Sequence, residues 1–95
     1  MTLQQYLSIE QSSQRTLLVL FYEVGDIAKC LIYQESFPGL YKSYREEMKL
    51  TVADAITMLR LFCEQEKLSF DELALIGIER FKQRQEEIAK AHKEE

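Results

Sequence analysis

The chain is short of the residues that build several familiar classes of protein. Its 95 residues include no Trp, one Pro, three Gly and two Cys, while 46% of them are apolar. A composition this apolar excludes a disordered chain. Because the length leaves room for only one core, we expect a single domain over residues 1–95. Cys30 and Cys63 lie in apolar stretches with no CxxC motif and no nearby His. Neither a zinc site nor a disulfide scaffold is indicated, and a reduced, cytoplasmic compartment fits better.

Positive charge is also scarce. Twelve basic residues against sixteen acidic ones give a net charge of −4, which removes the electrostatic attraction that drives binding to nucleic-acid duplexes and anionic membranes. The most apolar stretch, residues 16–33, is interrupted by Glu23, Asp26 and Lys29, so it does not predict a membrane span. The N-terminus lacks a basic region and a small-residue cleavage site, so we expect no signal peptide.

What the sequence does contain is helical periodicity, divided at a few clear breaks. Pro38 and Gly39 form the strongest break, and a weaker one lies at residues 11–13. Ser69 and Glu72 have capping-box spacing, as do Thr2 and Gln5. No stretch keeps a period of two. The pattern predicts four helices near residues 3–10, 14–35, 40–67 and 70–91, with residues 85–95 a charged tail whose helix frays.

The second and third predicted helices carry more apolar surface than one face holds. In the second, one stripe has the spacing of an ordinary core, namely Leu17, Phe21, Val24, Ala28, Leu31 and Ile32. A second uncharged set lies on the opposite side, namely Val19, Tyr22, Cys30 and Tyr33. The third helix also has two stripes, Val52, Ile56, Leu59 and Cys63 on one and Leu50, Met58 and Leu61 on the other. We expect the first stripe to form the core and the second faces to meet a partner chain in a homodimer or larger homo-oligomer.

Three acids stand within these apolar helices. Glu23 and Asp26 are three residues apart, which places both carboxylates on one side of a helix, where they can share a hard cation. Asp54 lies among Leu50, Met58 and Leu61, where an uncompensated carboxylate is costly. Oxygen ligands without His or Cys indicate Mg²⁺ or Mn²⁺, and Mg²⁺ often recruits substrate phosphates. The alternative interpretation is that these acids are solvated or paired with basic side chains.

Basic and aromatic residues offer candidate substrate contacts. Arg80 and Arg84 are four residues apart beside Phe81, so they either clamp a phosphate or only solubilise the last helix. Tyr22 or Tyr33 is a candidate residue to line a pocket for the base of a nucleotide.

The order of these elements resembles a known family. Residues 20–29 are similar to the E-E-x-G-E-L-A helix of the MazG-type all-α nucleoside triphosphate pyrophosphohydrolases. Residues 52–59, followed by the capped helix from Ser69 and an Arg-containing last helix, are similar to that family's E-L-A-D helix and the elements after it. The resemblance covers about residues 15–84. It implies an antiparallel all-α bundle of about four helices, assembled as a homodimer or homotetramer.

The resemblance also implies a chemistry. Glu23, Asp26 and Asp54 would be the metal ligands and catalytic residues, binding Mg²⁺ or Mn²⁺. The substrate would be a nucleoside triphosphate, hydrolysed to the monophosphate and pyrophosphate, with Arg80, Arg84 and Tyr22 in contact with it.

The chain departs from the family pattern at three positions. Tyr22 replaces the first Glu of the pair, Asp26 replaces a longer Glu, and Thr51 replaces the Glu of E-L-A-D. Fewer anionic ligands bind Mg²⁺ more weakly. The departures leave two alternatives open: a non-catalytic helical oligomerisation or regulatory module that kept the scaffold, and a generic helical bundle whose acids face solvent. Glu47 could replace the missing acid only with an irregular helix start or from a neighbouring subunit.

Overall fold

A computed structural model describes residues 12–93 of the chain as three helices. Helix α1 spans Ser13–Ser36, α2 spans Tyr41–Gln65 and α3 spans Phe70–Lys93, and a short 3₁₀ turn, Pro38–Leu40, joins the first two. The all-α prediction is therefore confirmed, and three of the four predicted helices are present within about two residues of their predicted bounds. The helix predicted near residues 3–10 and the Thr2–Gln5 capping box lie outside the described residues.

Local side-chain chemistry sets the helix ends. The Ser12 hydroxyl accepts a hydrogen bond from the backbone N–H of Arg15 at 3.1 Å, which caps the start of α1. The Ser69 hydroxyl accepts one from the N–H of Glu72 at 3.3 Å, so the predicted cap of α3 is confirmed. At Phe37 the chain leaves the helix just before Pro38, as the sequence predicts.

The turn between α2 and α3 uses a residue that the sequence does not mark for it. Lys67 has a φ of 58°, in the left-handed region that favours glycine. The N–H of Leu68 donates to the carbonyl of Cys63 at 2.7 Å, and the N–H of Lys67 donates to that of Glu64 at 3.2 Å. These two bonds form a Schellman motif, which normally has glycine at the position of Lys67.

Helices α1 and α2 pack against each other as an antiparallel hairpin, whereas α3 barely contacts the rest of the described chain. The attachment of α3 is local to its start: Arg60 donates to the Asp71 carboxylate at 3.2 Å and its guanidinium lies 4.9 Å from the Phe70 ring centroid. The radius of gyration is 17.6 Å, against about 12 Å for a compact domain of this length. Among the three described helices, the predicted antiparallel packing is therefore confirmed for the α1–α2 pair and not for α3.

The α1–α2 hairpin, whose two helices meet along a seam, has a small fully buried part, and half of that part is polar. Only six described residues are buried, and three of them are polar: Thr16, Gln34 and Thr51, beside Cys30, Leu61 and Cys63. Thr16 and Cys30 are two heptads apart on α1, and Thr51 occupies the matching stripe of α2. Small side chains let the two backbones approach closely, so this stripe faces the neighbouring helix.

The α1 stripe that was predicted to form the core lies on the exposed surface of the hairpin. Leu17, Phe21 and Val24 of α1 are 36%, 65% and 51% exposed. The prediction was wrong in choosing which stripe packs within the chain, because periodicity identifies apolar faces but does not say which neighbour covers each one. None of the described helices is long and apolar enough to cross a bilayer.

Candidate functional site

The register of the hairpin follows from contacts near its turn. The rings of Tyr33 and Tyr44 meet edge to face with centroids 5.2 Å apart. Further from the turn, Cys30 lies close enough to Glu47 for the carboxylate to perturb its thiol. Because the helices are antiparallel, each step back along α1 matches a step forward along α2. Continuing from these two pairs, Asp26 lies level with Thr51, and Glu23 lies level with Asp54.

The three predicted metal ligands differ in their surroundings. Glu23 and Asp26 are half-buried beside the seam, whereas Asp54 is exposed. Within residues 12–93 their carboxylates form no ion pair and no hydrogen bond, so the alternative in which basic side chains neutralise them gains no support. Of these two half-buried acids, Glu23 lies level with Asp54 on the other helix, and Asp26 lies level with Thr51.

These residues do not form a metal centre in a single chain. Among the described residues no group of three or more His, Cys, Asp or Glu side chains is placed to hold a metal ion. Thr51, which stands where the family has Glu, is only 8% exposed, and its hydroxyl donates to the backbone carbonyl of Glu47 at 3.0 Å. Within the described part of one chain, therefore, the ligand set that the resemblance implies is not assembled, and the Mg²⁺ or Mn²⁺ site stays a prediction.

The predicted substrate contacts are divided between two separate parts of the molecule. Arg80 and Arg84 line a shallow depression on α3 with Gly77 and Phe81. In the described part of the chain, α3 does not contact α1, so these arginines are not brought to Glu23 or Asp26. Tyr22 is 70% exposed on α1 and has no ring partner among the described residues.

Helical periodicity assigns the side chains beside the seam to two sides of the hairpin. At 100° per residue, Leu17, Phe21, Val24 and Leu31 lie on one flank of α1, and Val52, Ile56 and Leu59 lie on the corresponding flank of α2. In an antiparallel pair these flanks fall on the same side, so the seven residues form one continuous surface, here called the apolar face. All seven side chains are between 36% and 65% exposed.

The opposite side of the hairpin has a different character. It carries Tyr22, Asp26 and Lys29 from α1 with Leu50 and Asp54 from α2. The Lys29 ammonium lies 5.7 Å from the Tyr33 ring centroid, a cation–π contact on this side. We call this surface the polar face; the predicted metal ligands lie on it or at its edge with the seam.

One buried group has a perturbed ionisation. Burial raises the pKa of the Cys30 thiol above 9.0, and the neighbouring carboxylate of Glu47 raises it further. Cys63 is buried as well, and the two cysteines are free thiols. A thiol held in its protonated form is a poor nucleophile and a poor metal ligand, so Cys30 is a packing residue of the seam.

A second apolar feature lies where α3 begins. Leu59 and Cys63 of α2 and Phe70, Leu73 and Ala74 of α3 line an open cleft of about 260 Å³. Leu59 belongs to the apolar face, so the cleft continues that surface. Beyond it, α3 exposes further large apolar side chains, namely Leu75, Ile76, Ile78, Phe81 and Ile88.

Comparison with known proteins adds no relative: no protein-family model, no curated protein and no solved structure matches the chain. The geometry of the two faces therefore carries the functional argument.

Proposed function

We propose that this chain is a helical assembly module, which acts by binding another protein chain through its apolar face. The observation that carries this proposal is where the hairpin places its apolar side chains. Its seam is small and partly polar, while the most apolar surface of both helices points outward. A contiguous exposed apolar surface of this kind marks a protein–protein contact.

The energetics favour the same conclusion. Only three apolar side chains are buried among the described residues, Cys30, Leu61 and Cys63. Burial of apolar surface is the dominant favourable term in folding, and a chain below about 100 residues is marginal even with a full core. A hairpin with so little buried apolar surface gains the missing stabilisation when another chain covers its apolar face.

The proposal is tested by asking whether the chain folds alone as a monomer. We expect dilute chain either to associate or to bind the dye 8-anilinonaphthalene-1-sulfonate strongly, because an uncovered apolar surface takes up the dye. The measurement is sedimentation combined with dye fluorescence over a range of protein concentrations. A monomer that unfolds cooperatively and takes up no dye would contradict the proposal.

A second candidate function is nucleotide pyrophosphohydrolysis of the MazG type, dependent on Mg²⁺ or Mn²⁺. It is favoured by one specific observation, the register that sets unpaired Glu23 level with Asp54. Against it stands the absence, within residues 12–93, of a cluster with three potential metal ligands. The assembly module and the hydrolase share the expectation of a homodimer or homotetramer, and they differ in whether the polar face binds a nucleotide.

The second candidate is tested by restoring the acid that the family has. Thr51→Glu adds a carboxylate level with Asp26, and Thr51→Gln is the matched neutral control. If the site is only weakened, Mg²⁺ raises the melting temperature of the Glu variant and not that of the Gln variant. Pyrophosphate release from a panel of nucleoside triphosphates should then rise in the Glu variant. No turnover by either chain and no metal-dependent shift would exclude this candidate.

A further inference from the structure

We propose that the partner of the apolar face is a second copy of this chain. The apolar faces of two hairpins pack against each other about a twofold axis, so that two α1 and two α2 helices form a four-helix bundle. This inference rests on the proposed assembly function and names its partner. It makes the apolar face the core that a single chain lacks.

The charge distribution suits a twofold contact. A twofold axis sets a surface against its own copy, so a charged surface would repel itself there. Between Leu17 and Leu31, the charged residues of α1 are Glu23, Asp26 and Lys29, and all three lie on the seam or the polar face. The α2 residues of the face, Val52, Ile56 and Leu59, are uncharged as well. Lys49 and Arg60 lie at the outer edge of the same flank, and each forms an ion pair within its own chain, with Glu46 at 3.0 Å and with Asp71 at 3.2 Å. The centre of the surface that would meet its copy is therefore uncharged, and the charges at its edge are paired.

The chain exposes enough surface for the contact of a stable dimer. It exposes 7961 Å², whereas a compact monomer of this mass exposes about 5,700 Å². This excess is spread over the whole chain, including α3, and an obligate homodimer buries about 1,000–2,500 Å² of it per chain.

Helix α3 leaves the apolar face open in its own chain. It contacts the end of α2 through the cleft at Leu59 and Cys63 and, in the part of the chain that the structure describes, makes no contact with α1. Phe21 and Val24, near the middle of the face, remain more than half exposed. Apart from its end at Leu59, where α3 begins, the face is thus accessible to a second hairpin.

Two matched pairs of variants test the proposal. Phe21→Glu and Ile56→Glu place a carboxylate on the apolar face. Tyr22→Glu and Leu50→Glu place one at neighbouring sites on the polar face that are 70% exposed in both cases. In sedimentation equilibrium at micromolar concentration we expect the wild-type protein to have a mass of twice 11.2 kDa. Because a charge buried in an apolar contact is costly, each apolar-face variant should raise the dissociation constant about a hundredfold or more, and each polar-face variant should leave it unchanged.

The variants on the apolar face could also unfold, since folding and association are coupled. In that case the proposal is tested by the melting temperature of the wild-type protein. This temperature rises with protein concentration if a folded dimer dissociates into unfolded chains. A concentration-dependent melting temperature with a dimeric mass supports the proposal.

Three other outcomes would overturn it. A compact monomer with a constant melting temperature, as would result if α3 folded back over its own hairpin, overturns both the second copy and the assembly function. A monomer that remains poorly folded and takes up dye at every concentration overturns the second copy but leaves the assembly function standing with a different partner. An equal increase of the dissociation constant in the Tyr22→Glu and Phe21→Glu variants overturns the assignment of the contact to the apolar face.

Discussion

Replacing Ile56 with Ala distinguishes a chain that folds alone from one whose apolar face is covered by a partner chain. In the single chain Ile56 is 53% exposed, so folding gains only about half of the free energy of transferring this side chain out of water. Ile56→Ala should then cost about 1 kcal/mol. If a partner covers the apolar face, the same truncation removes buried methyl groups and leaves a cavity, at a cost of about 2–5 kcal/mol per chain.

The assay is urea unfolding followed by circular dichroism, with wild type and variant at the same micromolar concentration. Leu50→Ala is the control, because Leu50 is 70% exposed on the polar face and should cost under about 1 kcal/mol. We expect the Ile56 variant to lose at least twice as much free energy of unfolding as the Leu50 variant. Equal small losses at both positions would refute the reasoning that the apolar face is buried in the native assembly.

The remaining predictions concern the helix ends and the seam. Ser12→Ala removes the hydroxyl that accepts from the N–H of Arg15, so urea unfolding should show a loss of about 0.5–2 kcal/mol, and no loss would mean that the cap does not form. Lys67→Gly relieves a positive φ of 58° and should raise the free energy of unfolding by up to about 1 kcal/mol; a decrease would contradict the left-handed turn. Burial raises the pKa of Cys30, so the unfolded thiol ionises first and the free energy of unfolding should decline as the pH rises above about 9. Cys30→Ala should flatten that decline in pH-dependent urea titrations, and an unchanged slope would refute the assignment.

The sequence predicts the helix boundaries well because local chemistry sets them. Pro38 cannot continue a helix without losing a hydrogen bond, and Ser69 offers a hydroxyl at capping distance, so both breaks follow from single residues. The turn at Lys67 was predicted as a break but not as a left-handed turn. A lysine carries no signal for positive φ, and the Schellman motif there depends on the geometry of the whole last turn of α2.

The packing faces were harder to predict. Leu17 and Phe21 have the spacing and the apolar character of a core stripe, whereas Cys30 belonged to the set predicted to meet a partner and Thr16 to neither stripe. The usable signal was residue size, since small residues at heptad spacing allow two helices to approach closely. Hydrophobic periodicity alone does not distinguish a face that packs within one chain from a face that packs between chains.

The candidate metal site was predictable only in part. The loop length at Pro38 and the antiparallel direction determine which residues are level across the hairpin, so the shared level of Glu23 and Asp54 follows from the sequence. Whether their side chains converge does not follow, because it depends on the separation and rotation of the helices. Nor does the sequence show that the hydroxyl of Thr51, at the position where the family has Glu, donates to the backbone carbonyl of Glu47.

The central claim is that the apolar face is covered in the native protein, and a single fluorophore on each face measures this most directly. The chain has no Trp, so Phe21→Trp and Tyr22→Trp each introduce one reporter at adjacent positions on opposite faces. We predict blue-shifted emission and protection from iodide quenching for the Trp at position 21, and water-like emission with full quenching for the Trp at position 22. Equal exposure of both reporters in a folded protein would contradict the claim.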